Sequence, residues 1–349
     1  MQRHRLVRKD YLVFIAVVST LVISISSISN YGYFDMTKAV YGQPDSNQTN
    51  SNTTNSLDIQ NIPLKKVHVG DIDIAYKMFG KGDPILLIQG LGGSMDSWEP
   101  SILKELSSNH TVIIFNNRGV GNTTTGTKQF SIQQFANDTV GLLDALKIQK
   151  AEVLGFSMGS FIAQQLAVTH PEKVNRLLLI GSTCGGKESI PQSPENLKLA
   201  NKFVSSIVNN TPIEPQEMKT AISWGYGPTW IKLHPSFLKT IPTSPKDLVP
   251  SDMTPNTYVQ QTNAAQNWKS TNWSGVCSQL TKISQPTLVL TGTEDLAIPG
   301  PANSIIIAGK IPGAWLVQIP AAGHNVMDQY PAEIGKILNT FLSTTSPNS

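Results

Sequence analysis

An apolar run that ends in Gly155-Phe156-Ser157-Met158-Gly159 constrains this chain more than any other stretch. Ala151, Val153 and Leu154 are strand-like, and Phe161, Ile162, Ala163, Leu166 and Ala167 follow at helical spacing. A strand that feeds a helix through so short a turn forces the central serine into a strained backbone conformation, and glycine on either side gives the chain room. The hydroxyl then stands at the C-terminal end of a strand. Below it, the unpaired N–H groups of a helix N-terminus face any anion that forms there. Such a turn can hold a nucleophile. The pentapeptide alone is a weak signal, since an inert serine in a tight turn fits it equally, and the surrounding segments decide.

A serine hydroxyl attacks only when a base takes its proton and an acid holds that base in the right tautomer. Residues 286–292 (PTLVLTG) read as a buried strand, and the loop that leaves it carries Glu294 and Asp295. Residues 314–320 (AWLVQIP) read as another strand, followed by Ala321-Ala322-Gly323-His324. Both candidates therefore sit just past strand ends, on the edge that carries Ser157. Asp295 is preferred to Glu294 as the orienting acid because its shorter side chain is easier to fix against an imidazole. His324 is preferred as the base over His170, which reads as the cap of the helix after Ser157, and over His234. Upstream, a strand ends in Gln89-Gly90-Leu91-Gly92-Gly93, a turn that lets backbone N–H groups approach a substrate closely. The N–H groups of Leu91 and Met158 would form a two-donor oxyanion hole. The spacing is not that of a phosphate-binding glycine loop.

The rest of the chain alternates strands with helices, which predicts a mostly parallel central sheet with helices on both faces. A hairpin is expected over 67–78, then strands near 85–88, 112–115, 151–156, 174–180, 287–291 and 315–319. Helices are expected over 98–107, 132–146, 158–168, 301–307 and 330–341. The pattern breaks between Cys184 and Cys277, where ten of the 22 prolines and four of the six tryptophans fall. That segment, residues 185–275, reads as a helical lid inserted between two parts of the core, 61–184 and 276–345. Its Trp224, Trp230 and Trp268 are candidates for a pocket over Ser157. The two cysteines flank it, either as a disulfide that staples its ends in an oxidising compartment or as two free thiols.

These motifs, with Phe115-Asn116-Asn117-Arg118-Gly119-Val120-Gly121 and the Ser97-Trp98 pair, resemble the α/β-hydrolase superfamily, and within it the esterase, enol-lactonase and haloperoxidase-like branch. The resemblance implies Ser157 as nucleophile, Asp295 and His324 as its partners, and the Leu91 and Met158 amides as oxyanion donors. Gln89 stands where many members have His and Asn116 where Asp is common; the first bears on substrate preference and places Gln89 in the substrate pocket. Arg118 is expected to pin its loop by hydrogen bonds. The implied activity is hydrolysis of a carboxylic ester or lactone through an acyl-enzyme. The same triad would serve a C–C bond hydrolase or a cofactor-free perhydrolase, and a binding protein that keeps the fold without turnover is the alternative outside enzymes.

Composition excludes other classes. Charged residues make up 15% of 349, and net charge is +3. Four basic residues precede Asp10, which leaves 23 basic against 24 acidic residues and no electrostatic footprint for nucleic acid. No His-Glu-x-x-His spacing occurs, so neither a metal nor another cofactor is expected. After the basic cluster, residues 11–34 carry no charge until Asp35, which makes 1–34 a signal peptide or a membrane anchor with the enzyme outside the cytoplasm. Residues 43–57 (QPDSNQTNSNTTNSL) are polar and of low complexity, which makes 35–60 a disordered tether.

Overall fold

The computed structural model describes residues 59–239, 253–273 and 275–344, which belong to one compact unit spanning 55–349. The expected signal or anchor segment, and the tether up to residue 58, lie outside the described residues. The folded body begins inside the expected tether. Ile59 is buried, and its carbonyl accepts from the Lys77 ammonium at 3.0 Å. No helix among the described residues is long and apolar enough to cross a membrane.

In chain order the elements are β1 (Lys65–Val69), β2 (Ile72–Gly80), β3 (Asp83–Ile88), α1 (Pro100–Ser107), β4 (His110–Phe115), α2 (Ile132–Ala145), β5 (Ala151–Phe156), α3 (Met158–Thr169) and β6 (Val174–Ile180). Among the described residues, four α-helices follow before the sheet resumes: α4 (Pro194–Asn209), α5 (Pro215–Tyr226), α6 (Pro228–Leu233) and α7 (Pro255–Lys269). The chain then runs through β7 (Thr287–Gly292), α8 (Gly300–Lys310), β8 (Trp315–Ile319), α9 (Val326–Gln329) and α10 (Pro331–Leu342). The strands form one eight-stranded sheet in the order β1-β2-β4-β3-β5-β6-β7-β8. The β1–β2 and β2–β4 pairs are antiparallel and the remaining pairs parallel. The expected hairpin and six strands are all present.

Side-chain alternation divides the core between the two faces of this sheet. Leu86, Ile88, Ile113, Val153, Leu177 and Leu179 pack with α2, α3 and α8. Their neighbours Ile85, Leu87, Val112, Leu154, Leu178 and Ile180 pack with α1 and α10. Strands buried on both faces are apolar over most of their length, which is why β3, β5, β6 and β7 read as largely apolar runs; the buried Glu152 on β5 is matched by Arg176 and His110.

Prolines that interrupt the sequence pattern between β6 and β7 start helices there. Pro194, Pro215, Pro228 and Pro255 are the first residues of α4, α5, α6 and α7. At that position the missing N–H has no intrahelical partner to lose, and the fixed φ suits the helix. Cys184 and Cys277 are bonded, with Cα atoms 5.0 Å apart, and the bridge closes both ends of the inserted helices onto each other.

Candidate active site

Ser157 joins β5 to α3 with φ 53° and ψ −123°, a left-handed conformation rare for a residue with a side chain. Such a backbone costs about 1–3 kcal/mol and persists only where its surroundings hold it. Here the Ser157 N–H donates to the Ile180 carbonyl at 2.9 Å, and its carbonyl accepts from the Ser160 N–H at 2.8 Å. The flanking glycines act through contact. A Cβ on Gly155 would lie 2.3 Å from the Gly159 carbonyl oxygen, and one on Gly159 would lie 2.0 Å from the Ile88 oxygen. Strand and helix therefore cross closely enough to exclude any side chain.

Ser157, the Asp295 loop, the His324 loop and the Gly90–Gly93 turn all follow the C-terminal ends of parallel strands, so the fold gathers them on one edge. His324 Nδ1 lies 2.8 Å from Asp295 Oδ2. The other carboxylate oxygen accepts the Ile298 N–H at 3.0 Å, and Asp295 is 1% exposed. A carboxylate can only accept, so the shared proton sits on Nδ1 and leaves Nε2 with a free lone pair in the neutral ring. Glu294, the rival acid, points elsewhere: its Oε2 accepts the Thr229 N–H at the start of α6, 2.8 Å away.

His324 and Ser157 line one cavity of about 360 Å³, with Leu91 and Met158 on its wall. Among the described residues the backbone N–H groups of Leu91 and Met158 donate to no protein acceptor, although those of Gly90, Gly92 and Gly93 do. Two donors therefore remain available beside the serine.

The pocket candidates divide. Trp224 lines the cavity; Gln89, Trp230 and Trp268 do not. Gln89 is 4% exposed and folds back, so that its Oε1 accepts the Gly90 N–H at 2.8 Å. A Cβ on Gly93 would meet its Cγ at 2.2 Å, which makes Gln89 the internal brace of the glycine turn and corrects its assignment to the substrate pocket. Trp268 stacks on Phe161 with centroids 5.9 Å apart, and its Nε1 donates to the Thr183 carbonyl. Trp230 stacks on His234 at 4.2 Å, which also occupies that second histidine. The cavity wall instead uses Phe161, Phe203, Tyr226, Tyr258 and Lys269, none anticipated from sequence.

Two further features escaped the sequence. Gly181, with φ +59°, lies against the histidine, and a Cβ there would stand 2.8 Å from His324 Cε1. Gln329 bridges the histidine loop to the inserted helices: its Oε1 accepts the Gly323 N–H at 2.8 Å and its Nε2 donates to the Tyr226 carbonyl at 2.6 Å. The same junction is sewn by His324 N–H to Trp224 O at 3.2 Å and Asn325 N–H to Gly225 O at 2.6 Å. Replacing Gln329 by Met strands one donor and one acceptor where the histidine loop is held. Turnover is expected to fall between about 10- and 100-fold with little change in KM, because small misplacements of a catalytic group cost that much. Steady-state kinetics on an activated ester, with a melting curve to show the variant folded, checks it; an unchanged kcat refutes it.

The comparisons agree with this architecture. A family model described as alpha/beta hydrolase fold matches residues 83–331. Over 279 residues the chain is 26% identical to a 2-hydroxymuconate semialdehyde hydrolase of Pseudomonas sp. (strain CF600), covering 76% of this chain and 88% of that one. It is 26% identical over 227 residues to 3-oxoadipate enol-lactonase 2 of Acinetobacter baylyi, covering 64% and 77%. The solved structure of Est816, an N-acyl homoserine lactone degrading enzyme, aligns with TM-score 0.63 and 27% identity over 79% of this chain and 100% of that one. At 36–39% identity the matched stretches are shorter, and the chain there spans 42% of the curated relatives' own length. With the sheet order, the serine turn and the family match in agreement, this chain belongs to the α/β-hydrolase fold family.

Proposed function

We propose that this protein is a serine hydrolase that cleaves a carboxylic ester or lactone through an acyl-enzyme on Ser157. The observation that carries the proposal is the convergence on one cavity of a strained serine, an imidazole held by a buried carboxylate, and two unpartnered backbone N–H groups. His324 Nε2 takes the Ser157 proton as Oγ attacks the carbonyl carbon. The Leu91 and Met158 N–H groups hold the resulting oxyanion. Collapse expels the alcohol, which leaves with the proton from His324. Water then enters, loses its proton to the same nitrogen and attacks the acyl-enzyme, and the second collapse releases the acid and restores the serine. Asp295 fixes the tautomer and stabilises the imidazolium. The relatives named as a lactonase and a lactone-degrading enzyme support this substrate class. The match to a semialdehyde hydrolase keeps C–C bond hydrolysis as a second reading, since the first half of the cycle is shared.

A fluorophosphonate probe tests the proposal without knowledge of the substrate. Stoichiometric labelling is expected, with the mass shift mapped to the peptide containing Ser157, and no labelling of a folded Ser157→Ala variant. Native protein that stays unlabelled would be a binding protein of hydrolase fold, and the proposal would fail. An ester, lactone and vinylogous 1,5-diketone panel then separates the two hydrolytic readings.

A further inference from the structure

Lys269 closes α7 and faces two cavities at once. One is the 360 Å³ cavity that contains Ser157; the other, of about 190 Å³, lies beside it. Gln192, Gln266, Lys269, Ala297 and Ile298 line both, so these five residues separate the two spaces. No aspartate or glutamate among the described residues lines either cavity. Among the described residues the Lys269 ammonium forms no ion pair or hydrogen bond, and the wall around it combines Ala297 and Ile298 with uncharged polar side chains, Gln192 and Gln266 among them. Burial pushes this ammonium below the usual lysine range. Gln192, likewise without a hydrogen-bond partner among the described residues, adds a carboxamide donor to the same wall. Gln266 is committed to Asn201, to which its amide donates at 3.2 Å.

An unpaired, half-buried cation in a wall without a carboxylate gives up part of its hydration without gaining a partner. A partner that arrives with the substrate repays that cost and fixes the substrate's direction, as a charged donor does for a carboxylate. We propose that Lys269, with Gln192, forms a subsite for a carboxylate, so that the preferred substrate is an ester or lactone whose acyl part carries a second, ionised acid group. This inference rests on the hydrolase proposal and narrows its substrate class. The acyl chain would run from the carbonyl at Ser157 to the wall that divides the two cavities. The competing account is that Lys269 only complements the C-terminal dipole of α7.

The test compares p-nitrophenyl hemi-esters of adipic, pimelic and suberic acid with their methyl esters, which keep the chain and remove the charge. The quantity read is the ratio of kcat/KM for acid over methyl ester at the best chain length. In the native protein the acid is favoured; Lys269→Met lowers the ratio by about 10- to 100-fold, the loss expected for a hydrogen bond to a charged group. Lys269→Arg keeps most of it, and Lys269→Glu turns preference toward the methyl ester. A ratio that is the same in native and Met proteins overturns the subsite even if stability falls, because a dipole role moves stability and not the ratio. If the native protein hydrolyses the methyl esters but ignores the charge, the hydrolase proposal stands and the subsite alone is lost. Absence of turnover on every ester, with no probe labelling, removes both.

Discussion

Asp295→Asn is expected to lower kcat on an activated ester by about 10⁴-fold while leaving the fold intact. The reason lies in the second bond that the carboxylate makes. Asp295 Oδ1 accepts the Ile298 N–H at 3.0 Å while Oδ2 faces His324 Nδ1 at 2.8 Å. An asparagine must choose which end serves each partner. The Ile298 N–H is a donor and demands the amide oxygen, which turns the amide NH₂ toward the imidazole. Nδ1 must then accept, the ring proton moves to Nε2, and the nitrogen required to take the serine proton has no lone pair to offer. Flipping the amide back would set two donors against each other in a site 1% exposed. Both arrangements disable the base, one chemically and the other by misplacing the loop. Stopped-time assays with native enzyme as reference, and thermal melts to show equal folding, measure the effect. A loss smaller than tenfold would mean that His324 does not depend on this carboxylate. Glu294→Gln is the matched control: it perturbs the contact to the α6 N-terminus and leaves the tautomer alone.

Much of this site was legible from residue pattern because its requirements are local. A serine between glycines after a buried strand, an acid and a histidine after two later strands, and an apolar alternation that sorts side chains to two faces all follow from spacing. The preference for Asp295 over Glu294 rested on side-chain length, and the geometry adds a cause: Glu294 is engaged by the inserted helices. Where the sequence misled, side-chain packing decided, and spacing does not report it. Trp230 and Trp268 were plausible pocket walls, but each finds a closer ring to stack on, His234 and Phe161. Composition cannot say which face of a short helix meets the cavity, because α7 has buried polar residues such as Gln261 and Thr262 among its apolar ones. Gln89 was assigned to the pocket from the family resemblance, as the residue that stands where many members have His, and the packing of Gly93 against it shows the side chain folded back instead. Gln329 and Gly181 carried no sequence signal, because their roles exist only once the histidine loop meets the inserted helices, for Gln329, and the end of β6, for Gly181.

Arg118→Met is expected to cost roughly 3–5 kcal/mol of stability, the penalty for leaving a buried ionic cluster without one partner. Among the described residues Arg118 heads the fully buried side chains by volume, 1% exposed, and every edge of its guanidinium is used. Nε and Nη2 donate to the two oxygens of Asp138 on α2 at 2.9 and 2.7 Å. Nη1 and Nη2 donate to Asp71 in the β1–β2 turn at 3.0 and 2.9 Å, and Nη1 also donates to the Thr125 carbonyl at 3.0 Å. The planar fork therefore ties the entering hairpin, the loop after β4 and a core helix together, which a flexible ammonium could not do. Methionine fills a similar volume but leaves two carboxylates facing each other with their cation gone. A domain of this kind has about 5–15 kcal/mol in total, so urea unfolding should show a midpoint shift that is a large fraction of the whole. The pH dependence separates this cause from lost packing. Arg118 holds the Asp71 carboxyl well below the usual carboxylate range. A carboxylate with a depressed folded pKa stabilises the protein above its unfolded pKa near 4, and that contribution disappears as pH falls through the folded value. In the variant the orphaned carboxylates can protonate as acid is added, which relieves their repulsion. The gap in stability between native and variant should therefore narrow below about pH 4, whereas a packing defect would leave it constant. Should Arg118→Met be recovered only as aggregate, Asp71→Asn removes one charge from the same cluster and gives a smaller gap with the same acid dependence. A gap that holds steady from pH 7 to pH 3 in both variants would show that the cluster contributes through shape and not through charge.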